Sequence, residues 1–242
     1  MNCLTTIMRN GRNSISGINY FEGDLADAVY HWSNYVRACG NVDVLEEKSI
    51  RYPLAEYLER KHNADVELEA KYDEFPGKRM VDFKYEIPSE DNQPPFKKGL
   101  IEVKYLSKYF KYDKEIQRVF NDIVRLAIGD GSDNLFVMFG DSLLFETAIK
   151  RSDLKFKEAV KVRDGSKGES PASGIYSYWF SFKPNGKMTF NVDEFPYQRD
   201  IFIESYHKNI QGYKLETELM ARRPISKEKS PIIVYIWKVK RL

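Results

Sequence analysis

The sequence has few of the residues that build disulfide frameworks and zinc sites. Its two cysteines, Cys3 and Cys39, are too few for a disulfide framework or a thiolate metal site. Its three histidines, His31, His62 and His207, lack the spacing of metal ligands. None of them lies beside a serine or cysteine in the arrangement of a catalytic triad. These absences exclude a disulfide-stabilised scaffold, and they predict a reducing, cytoplasmic setting.

Long hydrophobic runs and an excess of one charge are also missing. The N-terminal stretch "MNCLTTIMRNGRNSISG" lacks the apolar run of a signal peptide, and no later stretch approaches the length of a membrane span. We therefore expect a soluble intracellular protein with no membrane partner. The formal net charge of +2 argues neither for nor against a nucleic-acid partner.

Hydrophobic residues are plentiful and follow the periods of helices and strands. They make up 42% of the 242 residues, enough for one large domain or a domain with an appendage. Apolar residues at helical spacing predict helices from Tyr20 to about Cys39 and from about Ser49 to Lys61. The segments "ADVELEAKYDEF", "GKRMVDFKYEIP" and "GLIEVKYLSKYF" then alternate as strands do, and they predict an antiparallel meander.

The next segments complete an α/β pattern. A strongly amphipathic helix follows the third strand, and "NLFVMFG" has the all-apolar composition of a strand buried on both faces. The apolar stripe of that helix comprises Ile116, Val119, Phe120, Ile123, Ala127 and Ile128. The order helix, three strands, helix, strand predicts a mixed β-sheet flanked by helices.

The C-terminal region is predicted to be rich in β-structure. The aromatic segment "IYSYWFSFK" and "KMTFNV" predict a hairpin around "PNG", and "PIIVYIWKVK" predicts a final strong strand. Aromatic residues favour strands, so we expect this run to form sheet core in preference to a base-stacking surface. We divide the chain into a core with N-terminal helices, 1–150, and a β-rich extension, 151–242, that packs on it and is a candidate for target recognition.

The third predicted strand carries charges in an apolar setting. Leu100, Glu102 and Lys104 share one face of it because strand side chains alternate. Pairing with the preceding strand would bring Asp82 close to Glu102 and Lys104. Two adjacent carboxylates repel unless a cation lies between them, and Mg²⁺ binds through one or two carboxylates plus water and substrate phosphate. A lysine beside such an ion can stabilise charge that develops on a phosphate. The alternative is an edge strand with solvated charges.

This arrangement resembles the PD-(D/E)XK signature of the restriction-endonuclease-like nucleases. The signature corresponds to Asp82, a loop, and Glu102-Val103-Lys104 at the end of an apolar strand. An acid two residues before a lysine also occurs elsewhere in the chain, so the apolar setting of Glu102 and its neighbouring elements distinguish this copy. The motif's proline is missing, because Met80-Val81 precede Asp82.

The resemblance implies a fold and a set of site residues. It implies a restriction-endonuclease-like α/β core over about Ser49 to Gly140. Asp82 and Glu102 would bind Mg²⁺, with Mn²⁺ able to substitute, and Lys104 would assist hydrolysis. In this family a glutamate of the preceding helix often joins the metal site, which implies the same role for Glu56. Glu56 lies off the apolar stripe of its helix, so only the resemblance supports it.

The expected function is Mg²⁺-dependent endonucleolytic hydrolysis of DNA, in restriction or defence. Double-stranded DNA is the expected partner, and a homodimer is expected if both strands of a palindrome are cut. Basic residues of the helix after the motif, among them Arg118 and Arg125, could contact the phosphate backbone or form a solvated face. The alternatives are a repair, recombination or RNA nuclease and a non-cleaving nucleic-acid-binding or protein-interaction module on the same fold.

Overall fold

The computed structural model describes residues 20–75, 80–88, 97–106, 113–145, 175–224 and 231–242. The helices of these segments include α1 (Tyr20–Ala38), α2 (Glu47–His62), α3 (Asp113–Ile128), α4 (Tyr176–Trp179) and α5 (Pro196–Tyr206). The strands are β1 (Asp65–Lys71), β2 (Met80–Ile87), β3 (Lys97–Leu106), β4 (Leu135–Asp141), β5 (Lys187–Asn191), β6 (Lys214–Arg223) and β7 (Ile232–Arg241). None of the helices in the described segments is both long and apolar enough to cross a membrane.

The seven strands form one mixed sheet in the order β1-β2-β3-β4-β7-β6-β5. Strands β1, β2 and β3 pair antiparallel, as the predicted meander requires. Strand β4 pairs parallel to β3, and α3 makes the crossover between them. The predicted α/β fold with a mixed sheet flanked by helices is confirmed.

Helices cover both faces of this sheet. The apolar faces of α1 and α2, including Leu25 and Leu54, pack on one side with Val103 and Val137. The other side holds α3, α4 and α5, which pack Phe120, Trp179 and Phe202 into a second core. Strand β4 is buried on both faces because its alternate side chains enter both cores, as the sequence predicts.

The C-terminal region joins the sheet directly. Strand β7 pairs antiparallel with β4, and β6 and β5 extend the sheet beyond it. The predicted boundary at residue 150 lies outside the described residues. The predicted aromatic hairpin is wrong, because residues 176–179 form α4 and β5 pairs with β6. The prediction that this aromatic run is core is confirmed: Phe180 packs its ring 4.4 Å from that of Trp237.

Strands β1 and β2 exchange faces at one position. Ala70 and Val81 pack in the core below α3, whereas Leu68 and Phe83 pack in the core below α2. Regular alternation keeps residues two apart on the same face of a strand, but Val81 and Phe83 lie on opposite faces of the sheet. Between the two pairs lies Glu69, whose φ of 51° is left-handed and rotates the chain.

A buried asparagine joins the end of α3 to β3. The Asn134 side-chain oxygen accepts the Leu100 N–H at 2.9 Å, and its amide nitrogen donates to the Leu126 and Gly129 carbonyls at 2.6 and 3.1 Å. Gly99 permits the close approach, since a Cβ there would lie 2.2 Å from the Asp133 carbonyl oxygen. The contact therefore sets the position of α3 over β3.

We expect Asn134→Ala to lower the free energy of unfolding by about 2–3 kcal/mol, because it leaves buried N–H and C=O groups without partners. Urea denaturation followed by circular dichroism measures this loss. The exposed Asn209 accepts only a local turn hydrogen bond, so Asn209→Ala is the matched control, with an expected loss under about 0.5 kcal/mol. Equal losses in the two variants would contradict the role assigned to Asn134.

Candidate active site

The candidate site lies where β2 and β3 separate. Their last paired residues are Phe83 and Ile101, although β3 continues to Leu106. Asp82 fills the gap, because its Oδ2 accepts the Val103 N–H at 2.8 Å in place of a backbone carbonyl. Strand β3 is an inner strand of the sheet, so the alternative of an edge strand with solvated charges is wrong.

The three residues of the motif are buried. Asp82, Glu102 and Lys104 expose 6%, 5% and 7% of their surface. Charged side chains this deep are stable only when they are paired, so their partners define the site. These partners come from α2, from α3 and from the segment after β1.

Glu102 is held by the segment after β1 and by α3. Its Oε1 accepts hydrogen bonds from the Tyr72 hydroxyl at 3.1 Å and lies 2.9 Å from Arg125 Nη2. The Arg125 guanidinium lies over the Tyr72 ring, 5.1 Å from its centre, and also contacts Asp122. Arg125 thus faces the site, which excludes it from the basic outer surface predicted for this helix.

Lys104 bridges α3 and α2. Its Nζ lies 3.0 Å from Asp122 Oδ2 and 3.4 Å from Glu47 Oε1. A signal for Asp122 is present in the sequence, because its neighbours one helical turn away, Val119 and Leu126, are both core residues. A charge in that position faces the protein interior.

The N-terminal part of α2 brings a carboxylate and an arginine to the strands. Ser49 and the N-terminal cap residue Glu46 exchange hydrogen bonds that fix the start of the helix. Glu47 follows in the first turn, where the helix dipole favours a negative charge. Arg51, one turn further along, contacts Asp82 and lies 2.6 Å from Glu69 Oε1.

Glu56 is not brought to this site. A helix turns by about 100° per residue, so Glu56 lies on the side of α2 opposite Glu47. Its side chain is 59% exposed and lies 2.7 Å from Arg60. The helical carboxylate near Lys104 is Glu47, which precedes the helix start predicted from the sequence. The structure thus corrects the placement of Glu56 in the site and as a metal ligand.

The charged cluster around the site contains more negative than positive groups. Three cations face four carboxylates, and the members of the cluster are Arg51, Lys104, Arg125, Glu47, Asp82, Glu102 and Asp122. Burial raises the pKa of Glu102 well above its usual range, and Asp122 and Asp82 raise it further. Burial also raises the pKa values of Asp82 and Glu47. The cluster therefore favours an additional positive charge, either a proton or a cation.

Lys104 keeps its own charge. Burial alone would lower its pKa, but Asp122, Glu47 and Glu102 outweigh burial and raise the pKa above its usual range. A lysine that stays protonated at neutral pH cannot act as a general base. Its contribution is a fixed positive charge beside Glu102 and Asp82.

Two of the buried carboxylates are candidate ligands for a hard divalent cation. Asp82 and Glu102 supply carboxylate oxygens, the ligands that Mg²⁺ prefers, and the cluster has one negative charge in excess. Within the described segments no three His, Cys, Asp or Glu side chains form a metal-binding group. A Mg²⁺ site here would therefore depend on these two carboxylates, with water and substrate oxygens as the other ligands.

Comparisons with known proteins find no family model, no curated protein and no solved structure that matches this chain.

We expect Glu102→Gln to raise the free energy of unfolding at pH 8 by about 1–2 kcal/mol, which is the free energy that corresponds to a shift of about one pKa unit. At pH 5 we expect little change in the free energy of unfolding. A raised carboxyl pKa means that the folded state binds the proton more tightly, so wild-type stability falls as the pH rises above the ordinary glutamate value of 4.5. Glutamine carries no charge and avoids that loss. Arg125 keeps its contact with Asp122 in this variant.

Thermal unfolding between pH 5 and pH 8 measures the effect. Glu56→Gln is the matched control, because it removes an exposed carboxylate and should leave the pH profile unchanged. A Glu102→Gln profile parallel to that of wild type would show that burial does not hold the pKa of Glu102 above its usual range.

Proposed function

We propose that this chain is a divalent-metal-dependent nuclease that hydrolyses phosphodiester bonds in DNA. The observation that carries the proposal is the convergence of Asp82, Glu102 and Lys104 in one buried cluster where β2 and β3 separate. The element order α2-β1-β2-β3-α3-β4 supports it, because the restriction-endonuclease-like core has a similar order. DNA as the substrate class rests on that resemblance.

Each residue has a chemical role in the proposed reaction. Asp82 and Glu102 would hold Mg²⁺, and the ion would supply Lewis-acid chemistry toward the phosphate and the attacking water. Lys104 places a permanent positive charge beside them, where it stabilises the negative charge that develops on the phosphate. Glu47 and Asp122 keep the Lys104 ammonium in place. A homodimer would present two such sites to the two DNA strands.

One observation favours a second candidate function. In the structure Asp82 is paired with Arg51, and Glu102 is paired with Arg125. A protein in which these pairs persist would be a non-cleaving nucleic-acid-binding or protein-interaction module on the same fold. Cleavage assays separate the two functions.

We expect wild-type protein to cut plasmid DNA with Mg²⁺ or Mn²⁺ and not with EDTA. Glu102→Gln and Lys104→Met should each lower the rate at least about 100-fold, since each removes a charge that acts on the transition state. Glu56→Gln should keep full activity, because Glu56 lies outside the site. Gel assays on supercoiled plasmid and on labelled single- and double-stranded DNA and RNA measure these rates.

The pattern of results identifies the function. Cutting of RNA alone would replace DNA by RNA as the substrate class. No cleavage of any substrate with either metal would contradict the nuclease proposal, and metal-independent binding of DNA would then favour the non-cleaving module. Loss of activity in Glu56→Gln would contradict the assignment of the site.

A further inference from the structure

Both oxygens of the Asp82 carboxylate are occupied in the structure. Oδ2 accepts the Val103 N–H at 2.8 Å, and Oδ1 contacts the Arg51 guanidinium. A Mg²⁺ ion at about 2.0–2.1 Å from Oδ1 would share that oxygen with a guanidinium already in contact with it, and an ion on Oδ2 would still share the carboxylate with that guanidinium. Two cations this close repel each other strongly in a buried setting. Arg51 and a divalent cation are therefore alternative partners of Asp82.

Arg51 also contacts a second carboxylate, at the edge of the site. Its guanidinium bridges the buried Asp82 and Glu69, whose side chain is 60% exposed. Within the described residues, the Nε of Arg51 is buried and makes no hydrogen bond, so the guanidinium is incompletely satisfied where it lies. Glu69 has the left-handed φ of 51° inside β1, a conformation that is costly for a residue with a side chain. Arg51 thus has a second partner at the rim of the site.

We propose that Arg51 competes with the divalent cation for Asp82 and, once displaced, binds a phosphate oxygen of the substrate. The guanidinium fork suits phosphate geometry, and Glu69 keeps the released side chain near the rim. This inference rests on the proposed nuclease function and adds a substrate-binding residue to it. It also couples two events, because binding of the cation at Asp82 would free Arg51 to bind phosphate.

The test is the binding of Mn²⁺ by the full chain, measured by isothermal titration calorimetry. Arg51→Gln removes the competitor and should bind Mn²⁺ about tenfold more tightly, the scale on which groups next to ligands change metal affinity. Arg51→Lys keeps the positive charge but cannot bridge Asp82 and Glu69 as a fork, and it should also bind Mn²⁺ more tightly than wild type. Arg60→Gln, on the outer face of α2, is the matched control and should match wild type.

Two further measurements test whether Arg51 acts through Asp82 and whether Arg51 contributes to DNA binding. Asp82→Asn should abolish Mn²⁺ binding whether residue 51 is Arg or Gln, because the contested carboxylate is itself a ligand, and Mn²⁺ binding that survives in Asp82→Asn would contradict the competition. Arg51→Gln should bind a labelled DNA duplex at least about tenfold more weakly in spite of its tighter metal, because it lacks a phosphate ligand. Thermal unfolding shows which variants are folded, and Arg51→Lys decides the outcome if Arg51→Gln is not.

Unchanged Mn²⁺ affinity in both Arg51 variants would overturn the inference and leave the nuclease proposal intact. Tighter binding in Arg51→Gln alone would show an effect of net charge and would also overturn it. If Arg51→Gln binds DNA as tightly as wild type, the phosphate-binding role of Arg51 is contradicted. If neither wild type nor the variants bind Mn²⁺, the metal-dependent function itself fails.

Discussion

The structure depends on the pairing of charges that are buried inside the sheet. An ionised side chain without a partner is very costly in the protein interior, so charges on an inner strand such as β3 require neighbours that supply opposite charge and hydrogen bonds. Glu102 and Lys104 meet this requirement with Arg125, Asp122 and Glu47. The surrounding elements must hold these partners in position.

Three features of the fold hold them. The capped N-terminal part of α2 presents Glu47 and Arg51 to the strands, and the amphipathic face of α3 carries Asp122 and Arg125 at its border. The Asn134 hydrogen bonds set α3 against β3. Aromatic rings of the C-terminal region then fill the space behind α3, with the Phe120 and Trp179 ring centres 5.4 Å apart. The C-terminal region therefore supports the site from behind.

The cluster also illustrates a conflict between stability and function. Burial raises the pKa values of Glu102 and Asp82, and neighbouring carboxylates such as Asp122 raise them further, which disfavours the ionised forms. Arg51 and Arg125 reduce this cost by direct contact. The same contacts occupy the oxygens that a metal ion would use. In a site that binds a divalent cation, these arginine contacts must therefore be strong enough to stabilise the folded protein and weak enough for the cation to replace them.

Hydrophobic periodicity predicts the order of helices and strands around the motif, the burial of β4 and the common face of Glu102 and Lys104, because each depends on the period of one element. Contacts between distant elements place Glu47 and not Glu56 near Lys104, pair β7 with β4, and bring Arg51 and Arg125 to Asp82 and Glu102. Hydrophobic periodicity indicates which side chains share a face of one helix or strand. Which side chain of another element lies next to them depends on non-local register. The face exchange at Glu69 depends on its left-handed backbone, which the alternation of the sequence does not indicate.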